Sequence, residues 1–106
     1  MRALTGLALA GTVAFAAASP ALAAGDPVAG KAVFKAKCGS CHTLKAAGTV
    51  ARSANQGPTL DRRAETTQRV MKALAGGAAG VMPVFVGVLS PKQVNDVVAF
   101  VIQASK

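Results

Sequence analysis

At residues 38–42 the chain reads Cys38-Gly39-Ser40-Cys41-His42, a C-x-x-C-H sequence that contains its only two cysteines and its only histidine. This spacing is typical of covalent haem attachment. Side chains three and four residues apart share a face of a helical turn, so both thiols can reach the vinyl groups along one porphyrin edge. The His42 imidazole can then bind the iron as the proximal ligand. We therefore predict one haem c, bound through two thioethers.

Three other interpretations of the motif compete with haem attachment. A thioredoxin-like redox pair expects a strand before the motif and a βαβ context, whereas the preceding segment has the pattern of a helix. A structural zinc site needs four ligands, and two cysteines with one histidine provide three. A plain disulfide, which an oxidising compartment would permit, would leave His42 without a role.

The sixth iron position needs a second ligand, and the chain has three methionines. Met1 is expected to leave with a signal peptide, and Met71 lies on the apolar face of a predicted helix, where it would pack in the core. Met82 precedes Pro83, which favours an extended backbone at the residue before it. A ligand in such a stiffened loop loses less conformational freedom on binding, so we predict that the Met82 thioether is the distal ligand. Ligation by His and Met raises the haem potential. The alternative is that Met82 fills the core beside Phe85.

A turn at Gly57-Pro58-Thr59-Leu60 is the third feature. A metal-binding histidine usually donates its other N–H to a carbonyl or carboxylate, and Pro58 could supply such a carbonyl. By itself a Gly-Pro pair indicates only a turn. The predicted iron ligands are His42 and Met82, and the predicted cofactor-binding residues are Cys38, Cys41, His42, Met82 and Pro58.

Residues 1–23 have the pattern of a secretory signal peptide: a basic start, an apolar run over residues 4–18, and the small residues Ala21-Leu22-Ala23 at a cleavage site. Cleavage would leave one domain over residues 24–106 in a periplasmic or otherwise extracytoplasmic location. The alternative is an uncleaved membrane anchor, but the run is shorter than the roughly 20 residues of a spanning helix.

Composition limits both the core and the partners. The chain has 106 residues, no Trp, no Tyr and four Phe, so its core is thin, and a haem would fill it. The formal charge of +8 favours acidic partners, although the lysines could serve solubility alone. Nucleic acid is a poor partner, because an exported chain seldom meets it and the sequence has no aromatic platform.

Three helices and no sheet are predicted. Asp26-Pro27 suits an N-cap followed by proline at the first helical position, and Asp61 is a candidate cap for the second helix. A capping box at Ser90 opens the third. The predicted segments are residues 26–41, residues 63–75 ended by Gly76-Gly77, and the segment from Ser90 with an apolar stripe at Val94, Val97, Val98, Val101 and Ile102, flanked by Phe100.

The expected mature chain resembles class I cytochromes c, in particular the short bacterial, cyanobacterial and algal electron carriers. The resemblance rests on five matches, which cover nearly all of residues 24–106: Gly30-Lys31-Ala32-Val33-Phe34, the attachment motif, Gly57-Pro58-Thr59-Leu60, Gly80-Val81-Met82-Pro83-Val84-Phe85, and the last helix at Leu89-Ser90 and Val97–Val101. It implies an all-α cytochrome c fold wrapped around one haem. It further implies that Gly30 lets the first and last helices cross near Phe34 and Phe100, that Pro58 accepts a hydrogen bond from His42, and that Met82 binds iron.

The chain departs from this family at two points. Thr59 stands where many relatives have Asn, and the aromatic residues that often contact the haem propionates are missing. Arg52, Arg62 and Arg63 are therefore the candidates for the propionates.

The resemblance implies an electron transfer protein, not an enzyme. It would be a monomer that carries single electrons between extracytoplasmic redox proteins with acidic docking surfaces, without a permanent membrane span after signal cleavage. One alternative is a haem c subunit permanently attached to a dehydrogenase or oxidase complex. A haem enzyme or gas sensor is another, but it needs an open iron site, and Met82 argues against that.

Overall fold

The computed structural model describes residues 25–78 and 81–106, and the regular structure within them is helical. The predicted signal peptide over residues 1–23 lies outside this part of the chain. The described residues contain only isolated β-bridges and no strand. The elements are helix α1 (Pro27–Lys37), a 3-10 turn (Lys45–Ala47), helix α2 (Thr67–Gly76) and helix α3 (Pro91–Ala104). The predicted all-α class is confirmed.

Helix α1 begins where the sequence predicts. The Asp26 carboxylate accepts hydrogen bonds from the amides of Val28 (2.9 Å) and Ala29 (3.3 Å), and Pro27 occupies the first helical position. These bonds satisfy two of the amides that a helix start leaves without intrahelical partners.

The predicted extension of this helix to Cys41 is wrong. Helix α1 ends at Lys37, and the four residues after it form a turn. The hydrogen bonds of the backbone change there: the Gly39 amide donates to the Phe34 carbonyl five residues back (2.9 Å), and the Cys41 amide donates to the Cys38 carbonyl three residues back (3.1 Å). The pattern of bonds four residues apart that defines an α-helix is therefore interrupted after Cys38.

The predicted start of the second helix is also wrong. Helix α2 is capped by Thr66, whose hydroxyl accepts a hydrogen bond from the amide three residues on (3.2 Å). Arg62 and Ala64 have φ angles of 58° and 48°, a left-handed backbone that a right-handed helix excludes. Asp61 instead accepts a hydrogen bond from the first amide of the 3-10 turn (2.9 Å). The end is as predicted, since Gly77 follows the helix with a φ of 60°.

Helix α3 has the predicted capping box. The Ser90 hydroxyl accepts from the Gln93 amide (3.1 Å), and the Gln93 side-chain oxygen accepts from the Ser90 amide (2.9 Å). Ile102 is half-buried, and Phe100, predicted only to flank the stripe, is buried with 6% of its surface exposed. The rest of the stripe is buried: Val94, Val97, Val98 and Val101. These contacts compensate for the weak helix propensity of β-branched residues.

Helices α1 and α3 cross closely at Gly30. A methyl group at residue 30 would overlap the carbonyl oxygen of Asp96 and lie 2.9 Å from the Phe100 β-carbon. One turn further, the rings of Phe34 and Phe100 pack with centroids 5.8 Å apart at 56°. This is the arrangement that the family resemblance implies, and both rings belong to the buried core.

The carboxylate of Asp96 stabilises the crossing of α1 and α3. It accepts hydrogen bonds from the Lys92 ammonium (2.6 Å) and the Asp26 backbone amide (2.8 Å). The Lys92 ammonium and then the Asp26 amide hold the pKa of Asp96 below its usual value. Asp96 therefore joins the first turn of α3 to the start of α1.

Candidate functional site

A cavity of about 420 Å³ lies between α2, α3 and the turn after α1. Four of the five predicted cofactor-binding residues line it: Cys38, His42, Pro58 and Met82. The apolar part of its wall is formed by Phe34, Leu60, Val70, Leu74, Val97 and Val101. Cofactor pockets have this size, with a mostly apolar lining and a few placed polar groups. Residues that carry a thiol, an imidazole and a thioether therefore line one mostly apolar space, and this set of donors fits a covalently attached haem.

The imidazole of His42 is held by the predicted turn. Its Nδ1 lies 2.9 Å from the Pro58 carbonyl oxygen. A carbonyl can only accept, so Nδ1 carries the proton and donates it, which leaves the Nε2 lone pair for a metal.

Gly57 packs against the same ring, a role that sequence reasoning missed. A β-carbon at this position would overlap Cε1 of His42 and lie 2.7 Å from Nδ1 and 2.8 Å from Nε2. The Gly57 amide also donates to the Cys41 carbonyl (2.8 Å). Only the glycine of the Gly-Pro pair could have indicated this close approach.

A second missed residue, Thr49, supports the backbone of the motif. Its hydroxyl donates to the His42 carbonyl (2.9 Å), and its main chain pairs with Leu44 through two hydrogen bonds of 3.2 Å. Thr49 lies in a loop whose sequence matches no motif, and its contact with His42 depends on the path of that loop.

The two cysteines occupy different environments. Cys38 is buried and lines the cavity, whereas Cys41 is half-buried, does not line it, and lies with its sulfur 3.7 Å from the Ser40 hydroxyl. No disulfide joins Cys38 to Cys41. Burial, and then the charge of Cys41, raises the pKa of the Cys38 thiol to about 11. A thioredoxin-like pair works with a lowered pKa and expects a preceding strand, while here helix α1 precedes the motif.

Zinc binding finds no support. Within residues 25–78 and 81–106, no three His, Cys, Asp or Glu side chains are grouped so that they could hold a metal ion. A structural zinc site needs four such ligands.

The two methionines of the described region differ in place. Met82 lines the cavity, and its amide and carbonyl each pair with Ala78 at 2.9 Å. Met71 does not line this cavity. It packs against the core and lines a separate hollow with Val86, Leu89 and Val94. Of these two methionines, only Met82 lines the cavity that His42 also lines.

Charged side chains also line the cavity, but not the expected set. Of the arginines proposed for the propionates, Arg63 lines it, whereas Arg52 and Arg62 do not. Arg69 and Lys72 line it as well, and the sequence offered one signal for Arg69, its spacing of four residues from Glu65.

No helix in the described part of the chain is long and apolar enough to cross a membrane.

Comparison with known proteins places the chain among characterised families. Residues 25–101 match the family model described as cytochrome C oxidase, cbb3-type, subunit III. A cytochrome c6 of Nostoc sp. is 35% identical over 99 residues, which cover 93% of this chain and 86% of that protein. A cytochrome c6 of Gloeothece citriformis is 32% identical over 97 residues, covering 87% and 83%. No solved structure matches the chain significantly.

Proposed function

Because this chain belongs to the cytochrome c family, with haem c as its cofactor and electron transfer rather than catalysis as its activity, we propose that the cavity beside the C-x-x-C-H turn is where single electrons enter and leave. Cys38 and Cys41 would hold the haem through two thioethers, and His42 and Met82 would bind its iron. Pro58 accepts the hydrogen bond from His42.

The observation that carries this proposal is the meeting of His42 and Met82 at one apolar cavity. These residues come from distant segments, and Cys38 and Pro58 line the same space. No other methionine of the described residues lines it.

Each side chain has a task that follows from its surroundings. When bound, haem supplies one-electron exchange between ferrous and ferric iron. The bond from Nδ1 to Pro58 (2.9 Å) orients the His42 ring and makes Nε2 a stronger donor. The Met82 sulfur is a soft donor that favours the reduced state. With His42 and Met82 both bound to the iron, no position would be left for a substrate, and the apolar side chains of the wall would pack against the haem.

The location belongs to this proposal as well. Residues 1–23 act as a cleaved signal peptide, and the mature domain over residues 24–106 works outside the cytoplasm as a diffusible monomer. The export-type composition of the first residues supports this.

The proposed partners are redox proteins with acidic docking surfaces. All four acidic residues of the chain have internal partners: Asp26 and Asp61 accept backbone amides, Glu65 pairs with two arginines, and Asp96 pairs with Lys92. Twelve basic residues face these four acidic ones, so the surface charge is mainly basic, and it includes the exposed Lys31, Lys35, Lys37 and Lys45. Such a surface speeds encounters with acidic partners at low salt.

A second candidate is a haem subunit held in an oxidase, and the description of the matching family model favours it. Purification from its native host in high salt separates the two functions. A chain that elutes alone supports the diffusible carrier, and one that stays with a larger redox protein supports the subunit.

The test of the axial ligand compares Met82→Ala with Met71→Ala in the holoprotein. Met82→Ala should keep its covalent haem, lose the sulfur–iron charge-transfer band of the oxidised protein, show a lower potential, and admit cyanide or carbon monoxide. Met71→Ala should retain the band and only lose stability, because it truncates a core contact. An unchanged spectrum in Met82→Ala would refute this ligand assignment.

A further inference from the structure

Four charged side chains form part of the cavity lining, and we call them the cationic rim: Arg63, Glu65, Arg69 and Lys72. Three cations and one carboxylate give the rim a formal charge of +2. Two of its cations are held in a defined arrangement, which a solubilising surface would not need.

Glu65 joins the two arginines of the rim. Its Oε1 lies 3.1 Å from Nε of Arg63, and its Oε2 lies 3.4 Å from Nε of Arg69. The Glu65 side chain is 11% exposed, whereas those of Arg63 and Arg69 are 49% and 58% exposed. Nη2 of Arg69 also donates to the Ala64 carbonyl (2.7 Å). Since each guanidinium has five N–H donors, both keep donors for a further anion.

The backbone around Arg63 is strained and anchored. Arg62 and Ala64, its two neighbours, have φ angles of 58° and 48°, a left-handed backbone that is unfavourable for residues other than glycine. The Ala64 amide donates to the Ser105 carbonyl (2.7 Å), the Glu65 amide donates to the Ser105 hydroxyl (3.0 Å), and Ser105 is fully buried. Strain of this kind persists only where the surroundings enforce it, and it concentrates at functional sites.

We propose that the cationic rim binds the two propionate carboxylates of the haem, with Glu65 as the residue that positions both guanidinium groups. This inference rests on the proposed function, since it takes haem as the occupant of the cavity. Two propionates carry a charge of −2, which balances the rim. Guanidinium groups match carboxylates through paired N–H donors, and the chain has no Trp or Tyr for this task.

The test compares Arg63→Gln and Arg69→Gln with Arg62→Gln in the full-length holoprotein. Arg62 is the matched control, because it adjoins Arg63 in sequence but lines a different hollow with Lys45 and Lys106. The measurement is the midpoint potential as a function of pH.

Both rim variants should have a lower potential than the wild type, because removing a cation near the carboxylates favours the ferric charge. The pH range over which the potential falls should also shift upward, because propionates without their cation have a higher pKa. Arg62→Gln should match the wild type, and Arg63→Lys should recover part of the shift.

Rim variants whose potential and pH profile equal those of Arg62→Gln would overturn the inference. The proposed function is judged separately, by whether the wild-type protein carries covalent haem. If Arg69→Gln does not fold, Arg63→Gln still decides the test, because within the described residues the Arg63 side chain bonds Glu65, only two residues away along the chain.

Discussion

Replacing Gly57 with alanine tests whether the Gly-Pro turn holds the proposed proximal ligand. The new β-carbon would overlap Cε1 of His42 and lie within 2.7 Å of Nδ1 and 2.8 Å of Nε2. A free imidazole could rotate away, but one bound to iron cannot. The overlap must then be relieved by movement of the turn or by loss of the iron–nitrogen bond.

The size of the effect follows from the bonds that a moving turn breaks. These are the bond from His42 Nδ1 to the Pro58 carbonyl (2.9 Å) and that from the Gly57 amide to the Cys41 carbonyl (2.8 Å). Two such hydrogen bonds contribute about 1–3 kcal/mol, and overpacking a tight site costs about the same. We expect Gly57→Ala to lose about 1–3 kcal/mol of unfolding free energy, or roughly 4–8 °C in Tm for each kcal/mol.

The assay is urea unfolding of the holoprotein, with the optical spectrum recorded at each point. Gly76→Ala is the control, because a β-carbon there would meet no atom of residues 25–78 or 81–106 within 4 Å and alanine suits the end of α2. The control should match or exceed the wild type in stability, whereas Gly57→Ala should unfold earlier and show a changed iron spin state. Equal stability and identical spectra for Gly57→Ala and the wild type would refute the reasoning.

Three further predictions concern the crossing of α1 and α3 and the attachment site. Gly30→Ala should lower the unfolding free energy by about 1–3 kcal/mol, as overpacking does, because its methyl group overlaps the Asp96 carbonyl; urea unfolding measures this. Asp96→Asn should lose less stability in acid than the wild type does. Lys92 lowers the folded-state pKa of Asp96, so the stabilisation by the ionised carboxylate is present above the unfolded-state pKa and disappears as the pH falls through the folded-state pKa. Replacing both Cys38 and Cys41 with alanine should let acidified acetone extract any bound haem.

A separate result would contradict each of these three predictions. Wild-type stability in Gly30→Ala would mean that the helices do not cross at that residue. If the stability of Asp96→Asn fell with pH as that of the wild type does, the Asp96 carboxylate would not contribute to the pH dependence of stability. Covalent haem in the variant without cysteines would contradict the attachment site.

The sequence predicted correctly those features that depend on interactions between residues close together along the chain. The caps at Asp26 and Ser90 involve side chains that bond amides two or three residues away, so residue type and spacing predicted both. The helix after Ser90 was predicted for the same reason, because its valine stripe follows the helical period.

The errors arose where distant residues decide the backbone. Helix α2 starts later than predicted because contacts with Ser105 accompany the left-handed turn at Arg62 and Ala64. The candidate cap Asp61 had placed the start of this helix at residue 63. Arg62 and Arg63 were equivalent candidates by composition, and only the direction of that turn places one of them at the cavity.

By itself, the sequence determined the attachment chemistry, the helical class and the family, because a five-residue motif, short-range caps and helical periodicity depend on neighbours along the chain. Tertiary structure alone decided which arginines line the cavity and how closely Gly57 approaches the His42 ring. These outcomes depend on packing between segments far apart in sequence, and no local pattern encodes the position of one segment relative to another.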